Sequence, residues 1–282
     1  ISVGLCPFHS EKTPSFTVYP ESQSFYCFGC GAGGDVIGFV RRIENLGYVE
    51  AIRLLAERTG MQVPDEAADD KEALLKTAIL EMNREAARFF HEQLMGPAGK
   101  SALDYLLRRG LTPKTITHFG LGYAPANFYG LSDRLSEKGY KPYQMEAAAL
   151  ARQGRNGKDY DVFRDRVMFP ILDLRGNVIG FGGRKLAGDG PKYYNSPDTP
   201  VFKKTKNLFA LNFAKKNKPD DFILCEGYMD VISMHQAGFT GAVASLGTSL
   251  TEDQCRLLSS YTPEVVLAYD ADEAGRKASK RA

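Results

Sequence analysis

The sequence predicts a multidomain protein of the α+β and α/β classes, with an N-terminal zinc ribbon, a mixed α+β basic region and a C-terminal parallel sheet. Three observations support this order. Cysteine and histidine are concentrated in the first 30 residues, basic residues in the middle, and strand-like and helix-like segments alternate after Asp220. A length of 282 residues suits two or three domains. We place them at residues 1–62, 71–218 and 219–282, with a linker at 63–70.

The composition is that of a globular protein without a membrane anchor. Hydrophobic residues make up 43% of the chain and charged residues 25%, and no apolar run approaches the length of a membrane span. Five cysteines, three of them before residue 31, argue against a disulfide framework and for a reducing cytoplasm with a metal site. We interpret Cys225 and Cys255 as core residues. Because the chain begins at Ile1 and stops inside a helical pattern, we interpret it as a fragment.

The first candidate site consists of two ligand pairs, Cys6-x2-His9 and Cys27-x2-Cys30, separated by 17 residues. Two intervening residues let a tight turn point both ligands at one ion, and four protein ligands leave no open position. We therefore predict one structural zinc ion on a small antiparallel sheet, since the segment between the pairs is rich in β-branched and aromatic residues. The alternative is a cluster of free thiols beside a surface histidine.

Charge and aromatic rings alternate within this module, and two interpretations remain open. The rings form either a face on which single-stranded bases stack or the small core of the module itself. The residues concerned are Lys12, Phe16, Phe25, Tyr26 and Phe28.

Helices are predicted next along the chain. Apolar spacing predicts one helix over residues 35–60 that ends at Gly60. The acidic, proline-containing stretch at 62–70 suggests a flexible boundary. A helix from about Lys71 to Met95 follows, then a second over 101–110 that Ser101 could cap. The stretch "LTPKTITHFGLGYAP" suggests a short helix that ends in a turn.

The middle of the chain is basic. Residues 152–218 contain 15 Lys and Arg against 6 Asp, a net charge of +9, which leaves −7 for the rest of a chain whose total is +2. This distribution predicts a polyanionic partner, although a solvated basic surface would give the same count. "FRDRVMFPILDLRGNVIGFGGRKL" predicts a hairpin that turns at "RGN". In it, "GFGGR" either brings backbone close to a partner beside Arg184 or forms a tight turn. Further bases in predicted loops, interleaved with Tyr193 and Tyr194, suit phosphate contact; they are Lys192, Lys203, Lys204 and Lys206.

The last third of the chain predicts a βαβαβ unit with a parallel sheet. Glu226 follows its first strand, and Asp270 and Asp272 follow the third, an apolar run at Val265 to Ala268 that we interpret as buried. If these strands are neighbours, the carboxylates converge where parallel sheets bind ligands. Converging carboxylates favour Mg²⁺ or Mn²⁺. The alternative is that Asp272 and Glu273 cap a helix, with Glu226 as a turn residue.

Seven motifs occur in the same order as in one known family: "CPFHSEKTPSF", "YCFGCGAGGD", "FRDRVMFPI", "GFGGR", "PKYYNSPDT", "CEGYMDV" and "AYDADEAGRKA". In them the chain resembles the bacterial DNA primases (DnaG) over nearly its whole length. The resemblance implies a CHC2 zinc-binding domain and an RNA polymerase domain with a Toprim core that is truncated here.

The resemblance also implies roles for individual residues. Cys6, His9, Cys27 and Cys30 match the zinc ligands. Glu226, Asp270 and Asp272 match the catalytic Mg²⁺ or Mn²⁺ ligands, with Asp230 in a supporting role. The bases that match residues holding template or nucleotide phosphates are Arg109, Arg184, Lys192 and Lys204.

The implied activity is template-directed synthesis of short RNA primers for replication, a nucleotidyl transfer that uses two metal ions. Its implied partners are single-stranded DNA, NTPs, the RNA–DNA primer duplex and the replicative helicase, which binds a C-terminal domain not matched here. The family's third acidic motif is also unmatched, so the resemblance implies weak or no activity for these 282 residues alone. The alternatives are another Toprim enzyme, either a topoisomerase or a nuclease, and a non-enzymatic module that binds single-stranded DNA.

Overall fold

The computed structural model describes residues 1–61, 67–217, 221–247 and 249–280. Most of the predicted linker, residues 62–66, lies outside these ranges. Residues 67–70 of that linker belong to a helix instead. Within the described ranges, every helix is too short or too polar to cross a membrane.

The N-terminal module is a four-stranded antiparallel sheet, which confirms the predicted ribbon. Its strands are β1 (Ser2–Gly4), β2 (Phe16–Tyr19), β3 (Ser24–Cys27) and β4 (Gly33–Asp35), paired in chain order. Alternation along β2 and β3 turns Phe16 and Phe25 inward, where their ring centroids lie 5.3 Å apart. The rings of Phe8 and Phe39 complete this small core.

Two helices follow the sheet where the sequence predicts one. Helix α1 (Val36–Ile43) starts at Asp35, which accepts a 2.6 Å hydrogen bond from the Gly38 N–H, and α2 (Tyr48–Thr59) starts after Gly47. Asn45, between them, has a φ of 52°. Asparagine tolerates this left-handed conformation, which breaks the helix although the apolar spacing continues through it. The predicted stop at Gly60 is confirmed by its φ of 68°.

The central region begins with helices. Helix α3 (Ala67–Met95) starts about four residues before the predicted Lys71. A 3₁₀ turn (Pro97–Gly99) runs directly into α4 (Lys100–Arg108), so Gly99 occupies the N-cap and Ser101 does not cap the helix as predicted. The short helix α5 (Pro113–His118) is confirmed, but the predicted turn after it contains a strand. The elements that follow are β5 (Gly122–Ala124), α6 (Gly130–Glu137) and α7 (Pro142–Ala147).

An antiparallel sheet forms the centre of this region. After the hairpin β6 (Ala151–Gln153) and β7 (Asp159–Asp161) come β8 (Arg166–Leu172), β9 (Val178–Lys185) and β10 (Tyr193–Asn195), in the order β10-β9-β8-β5. The predicted "RGN" hairpin is confirmed, with a φ of 93° at Gly176. "GFGGR" lies inside β9 rather than in a turn. Its Gly182 leaves room for the Tyr228 ring of the same chain, so the close approach is internal.

The last region is the predicted βαβαβ unit. It follows a 3₁₀ turn (Lys204–Lys206), where a loop was predicted, and helix α8 (Leu211–Asn217). The unit itself comprises β11 (Phe222–Cys225), α9 (Tyr228–Gln236), β12 (Ala242–Ala244), α10 (Glu252–Ser259) and β13 (Val265–Ala268), followed by α11 (Glu273–Ser279). All strand pairs are parallel, in the order β12-β11-β13.

Two predictions about burial in this unit are wrong. Strand β13 is not buried, since Val266 and Leu267 are 50% and 41% exposed. It lies at the edge of the three-stranded sheet. Cys255 is also exposed, whereas Cys225 is buried as predicted.

Candidate active site and zinc centre

The four predicted zinc ligands meet in the N-terminal module. Their ligand atoms all lie within 4.8 Å of one another. Sγ of Cys6 is 3.9 Å from Sγ of Cys30, and Nδ1 of His9 is 3.7 Å from Sγ of Cys27. Three thiols and one imidazole converging on a point are the donor set of a tetrahedral structural zinc site, so these residues fit the ion.

The aromatic residues of the module divide between the two interpretations left open by the sequence. Phe16 and Phe25 are core residues. Tyr26 and Phe28 are 42% and 70% exposed, with ring centroids 5.0 Å apart, and Lys12 is exposed as well. Only the second group remains available for contact with a partner.

Glu226 and Asp270 are brought together at the carboxyl edge of the parallel sheet. Cys225 in β11 pairs with Ala268 in β13, which places the two acidic residues just beyond neighbouring strand ends. Oε1 of Glu226 accepts a 3.0 Å hydrogen bond from the Asp270 N–H. Gly275 of α11 packs against both residues, since a Cβ there would lie 2.6 Å from Oε1 of Glu226.

Asp272 performs the capping role that the sequence offered as an alternative. Its Oδ1 accepts a 2.8 Å hydrogen bond from the Gly275 N–H at the start of α11. Glu273 lies in the first turn and pairs with Lys277 at 2.6 Å. Capping engages one carboxylate oxygen of Asp272. In the described part of the chain, the close convergence seen at the four predicted zinc ligands is not repeated at these carboxylates.

Asp230 lies on α9 beside this edge. Its Oδ2 accepts a 3.1 Å hydrogen bond from the Gly227 N–H. Burial, and then the neighbouring charge of Asp270, raise the pKa of Asp230, while the charge of Arg109 opposes the shift. Glu226, Asp230 and Asp270 form what we call the acidic edge of the parallel sheet. Their negative charges repel one another, and a bound cation would reduce this repulsion.

Arg184, on β9, contacts two aromatic rings. The centre of its guanidinium lies 5.0 Å from the ring centroid of Tyr105 and 5.3 Å from that of Tyr193. Its Nη1 donates a 2.6 Å hydrogen bond to the Tyr193 hydroxyl. Burial raises the pKa of Tyr193, and the charge of Asp230 contributes to the same shift, so the hydrogen-bond partner of Arg184 is within electrostatic reach of Asp230.

The other predicted bases are more loosely placed. Arg109 is exposed at the end of α4, close enough to Asp230 to influence its pKa. Lys192 is exposed before β10, and its carbonyl accepts a 2.9 Å hydrogen bond from the Lys185 N–H. Lys204 is half-buried, and its carbonyl accepts a 2.9 Å hydrogen bond from Gln254.

Two residues that the sequence did not single out connect the acidic edge to the β10-β9-β8-β5 sheet of the basic region, called the basic sheet below. The Tyr228 hydroxyl donates a 2.8 Å hydrogen bond to Oδ1 of Asn195, whose Nδ2 donates to the Leu246 carbonyl at 3.0 Å. Both lie inside motifs quoted above, "CEGYMDV" and "PKYYNSPDT", but nothing in the spacing indicates that they touch.

Arg166 was also missed. It is 8% exposed, and its Nη1 donates 3.1 Å hydrogen bonds to the carbonyls of Gly183 and Pro191. These carbonyls immediately precede Arg184 and Lys192, so Arg166 holds the backbone of two candidate phosphate-binding bases. The sequence could have indicated this role. Arg166 opens an apolar strand in "FRDRVMFPI", and an arginine in a buried strand is almost always paired with a hydrogen-bond acceptor.

Three protein families match consecutive parts of the chain. Residues 2–71 match the CHC2 zinc finger, residues 89–215 match the N-terminal domain of the DNA primase catalytic core, and residues 223–282 match the Toprim-like family.

Among curated proteins, the DNA primase of Clostridium acetobutylicum is 48% identical over 283 residues, which cover 99% of this chain and 47% of that protein. The DNA primase of Escherichia coli O6:H1 is 41% identical over 98% of this chain and 48% of its own length. The chain thus spans a little under half the length of these relatives.

Solved primase structures also match this chain. The zinc-binding and RNA polymerase domains of Aquifex aeolicus primase are 40% identical to it, with a TM-score of 0.67. The match covers 99% of this chain and 68% of the Aquifex chain. A DnaG primase catalytic domain bound to single-stranded DNA is also 40% identical. It covers 74% of this chain and 68% of that one, with a TM-score of 0.69.

Proposed function

Since the chain belongs to the bacterial DNA primase family, we propose that it supplies the zinc-binding and catalytic regions of an enzyme that synthesises short RNA primers on single-stranded DNA. The observation that carries this proposal is the placement of Glu226 and Asp270 at the ends of neighbouring parallel strands, with Arg184 bound to Tyr193, a residue within electrostatic reach of Asp230. Carboxylates next to a fixed cation suit a reaction that binds metal ions and polyphosphate together.

Glu226, Asp270 and Asp272 would hold Mg²⁺ or Mn²⁺, with Asp230 in support. Divalent ions there would neutralise the triphosphate and favour attack of a 3′-hydroxyl on the α-phosphorus of the next NTP, with release of pyrophosphate. The Glu226 carboxylate also accepts a hydrogen bond from the backbone N–H of Asp270, which restrains the distance between the two acidic residues. This is an expected property of a site that must place charge accurately.

Arg184 would bind a phosphate of the nucleotide or template. Because Tyr105 and Tyr193 already hold its guanidinium in place, little side-chain freedom is left to lose on binding. Lys192, Lys204 and Arg109 would add positive charge along the path of the strand.

The zinc module would contact the template. Tyr26 and Phe28 offer exposed rings for stacking, and Lys12 offers a charge for the backbone. With four protein ligands, the zinc ion would serve the fold of the module. We further expect NTPs and an RNA–DNA duplex as ligands, the replicative helicase as a partner of the longer protein, and a cytoplasmic location.

Primer synthesis by the full-length gene product tests this proposal. We expect wild-type protein with NTPs and Mg²⁺ to make short RNAs on a single-stranded template. We expect Asp270→Ala to lower the rate by a factor on the order of 100 or more, the loss typical of removing one essential electrostatic contact.

Asp253→Ala is the matched control, because Asp253 is an exposed acid of the same βαβαβ unit, on α10. A near wild-type rate for Asp270→Ala would refute the assigned role of that carboxylate. Relaxation of supercoiled DNA by the wild type, without primer synthesis, would favour a topoisomerase instead.

A further inference from the structure

Glu11 lies next to the zinc ligands without being one of them. Its Oε1 accepts backbone hydrogen bonds from Cys6 at 2.7 Å and Ser15 at 3.1 Å. Its Oε2 accepts the Ser15 hydroxyl hydrogen bond and lies 3.2 Å from Nε2 of His9. Both carboxylate oxygens are therefore engaged, and the side chain is only 11% exposed.

The two nitrogens of His9 face different groups. Nδ1 points to the ligand cluster, 3.7 Å from Sγ of Cys27, while Nε2 points to Glu11. A neutral imidazole carries one N–H, and an ionised carboxylate can only accept. The proton is therefore drawn to Nε2, which leaves the Nδ1 lone pair free to coordinate a metal.

Gly29 supplies an independent indication that this arrangement is built into the fold. A Cβ at this position would lie 2.7 Å from Nε2 of His9 and 2.8 Å from Oγ of Ser15. Any larger residue would push the imidazole and the hydroxyl away from Glu11. The turn from Cys27 to Cys30 thus leaves the space that the contacts of Glu11 require.

We propose that Glu11 is the positioning residue of the zinc site, which holds His9 in the Nε2–H tautomer so that Nδ1 binds the ion. Carboxylates that accept from a ligating histidine orient the ring and raise its basicity, and removing them typically weakens metal binding about 10- to 100-fold. This inference rests on the proposed zinc site, and it adds a residue that coordinates nothing itself.

The test compares Glu11→Gln with wild type in the zinc-loaded chain, by competition for Zn²⁺ with a chelating dye. We expect the dissociation constant to rise about 10- to 100-fold. A glutamine amide directs an N–H at Nε2 of His9 and favours the tautomer that blocks Nδ1. Nitrogen NMR of the His9 ring in the zinc-loaded proteins should show an Nε2–H protected from solvent exchange in the wild type, and faster exchange of that proton in the variant.

A purely structural role for Glu11 predicts a different result. The glutamine carbonyl oxygen can still accept the backbone hydrogen bonds of Cys6 and Ser15, so an affinity within twofold of wild type would overturn the proposal. Glu21→Gln is the control, because Glu21 is an exposed acid of the same module.

We expect Gly29→Ala to weaken zinc binding as well. A wild-type chain that holds no Zn²⁺ would refute the zinc site itself.

Discussion

At the scale of single residues, the candidate site depends on side chains that are held by neighbouring residues of the same chain. Glu226 accepts the Asp270 N–H, Asp272 caps α11, and Arg184 contacts two tyrosine rings. Each contact limits the freedom of a charged group. The result is an edge where negative charge is concentrated, within electrostatic reach of the tyrosine that binds Arg184.

Arg184 allows a prediction about nucleic-acid binding. We expect Arg184→Gln to weaken binding of single-stranded DNA and to reduce the slope of log K against log salt concentration by about 0.7, the value for one phosphate contact. Arg184→Lys should keep the slope, because it keeps the charge, but should still bind less tightly, since lysine loses the guanidinium contacts with Tyr105 and Tyr193. Fluorescence anisotropy over a range of salt concentrations measures both.

Arg88→Gln is the control for this measurement, since Arg88 is an exposed arginine of α3 that pairs loosely with Glu85 at 4.0 Å. An unchanged slope for Arg184→Gln would mean that Arg184 does not neutralise a phosphate.

At the scale of elements, helices α3 and α6 are joined by a nearly buried carboxylate. Glu85 is 9% exposed in its side chain and accepts from Arg134 at 2.6 Å and Lys138 at 3.3 Å. Burial alone would raise the pKa of Glu85, but the hydrogen bonds and charges of Arg134 and Lys138 outweigh it and lower the pKa. The ionised form is therefore preferred in the folded state.

This predicts a pH-dependent loss of stability in Glu85→Gln. A lowered folded-state pKa stabilises the protein above the unfolded-state pKa of about 4.3, and the contribution disappears as the pH falls through the folded-state value. We expect a loss of about 1–3 kcal/mol near pH 7 that shrinks below about pH 4. Chemical denaturation at a series of pH values measures it.

Glu92→Gln should change the stability by less than about 1 kcal/mol, because Glu92 binds the same Arg134 but is 55% exposed. Equal losses in the free energy of unfolding for Glu85→Gln and Glu92→Gln would mean that burial does not set the contribution of Glu85.

The elements also show what the sequence could predict. The cluster of three cysteines and one histidine was predictable because the spacing within each pair is local, and so was the βαβαβ unit, since strand and helix periods alternate clearly. The contact between Glu226 and Asp270 additionally needed the strand order β12-β11-β13, which the residues alone do not determine. The break at Asn45 was missed because apolar spacing continues through it, whereas the conformation of one residue decides the helix end.

At the scale of the whole molecule, the basic sheet and the parallel sheet meet at Tyr228. Its ring stacks on Phe169 with centroids 4.9 Å apart, packs on Gly182, and sends its hydroxyl to Asn195. Long-range packing of this kind leaves no periodic signal in the sequence. It joins the region that would bind phosphate to the region that would bind metal.

Gly182→Ala tests this junction. A Cβ at residue 182 would lie 2.5 Å from the Tyr228 hydroxyl oxygen, so we expect a loss of about 1–3 kcal/mol in stability from overpacking. Adding Tyr228→Leu should restore part of it, which would appear as coupling in a double-mutant cycle of unfolding free energies. Strictly additive effects would show that the two residues do not press on each other.

We propose that the acidic edge binds the divalent ions on which primer synthesis depends, so the rate of primer synthesis should be measured as a function of Mg²⁺ concentration. The comparison is between the wild-type full-length gene product and Glu226→Gln. We expect a saturable dependence for the wild type, and for the variant a higher Mg²⁺ requirement with a maximal rate reduced by a factor on the order of 100. Superimposable Mg²⁺ curves for the two proteins would contradict it.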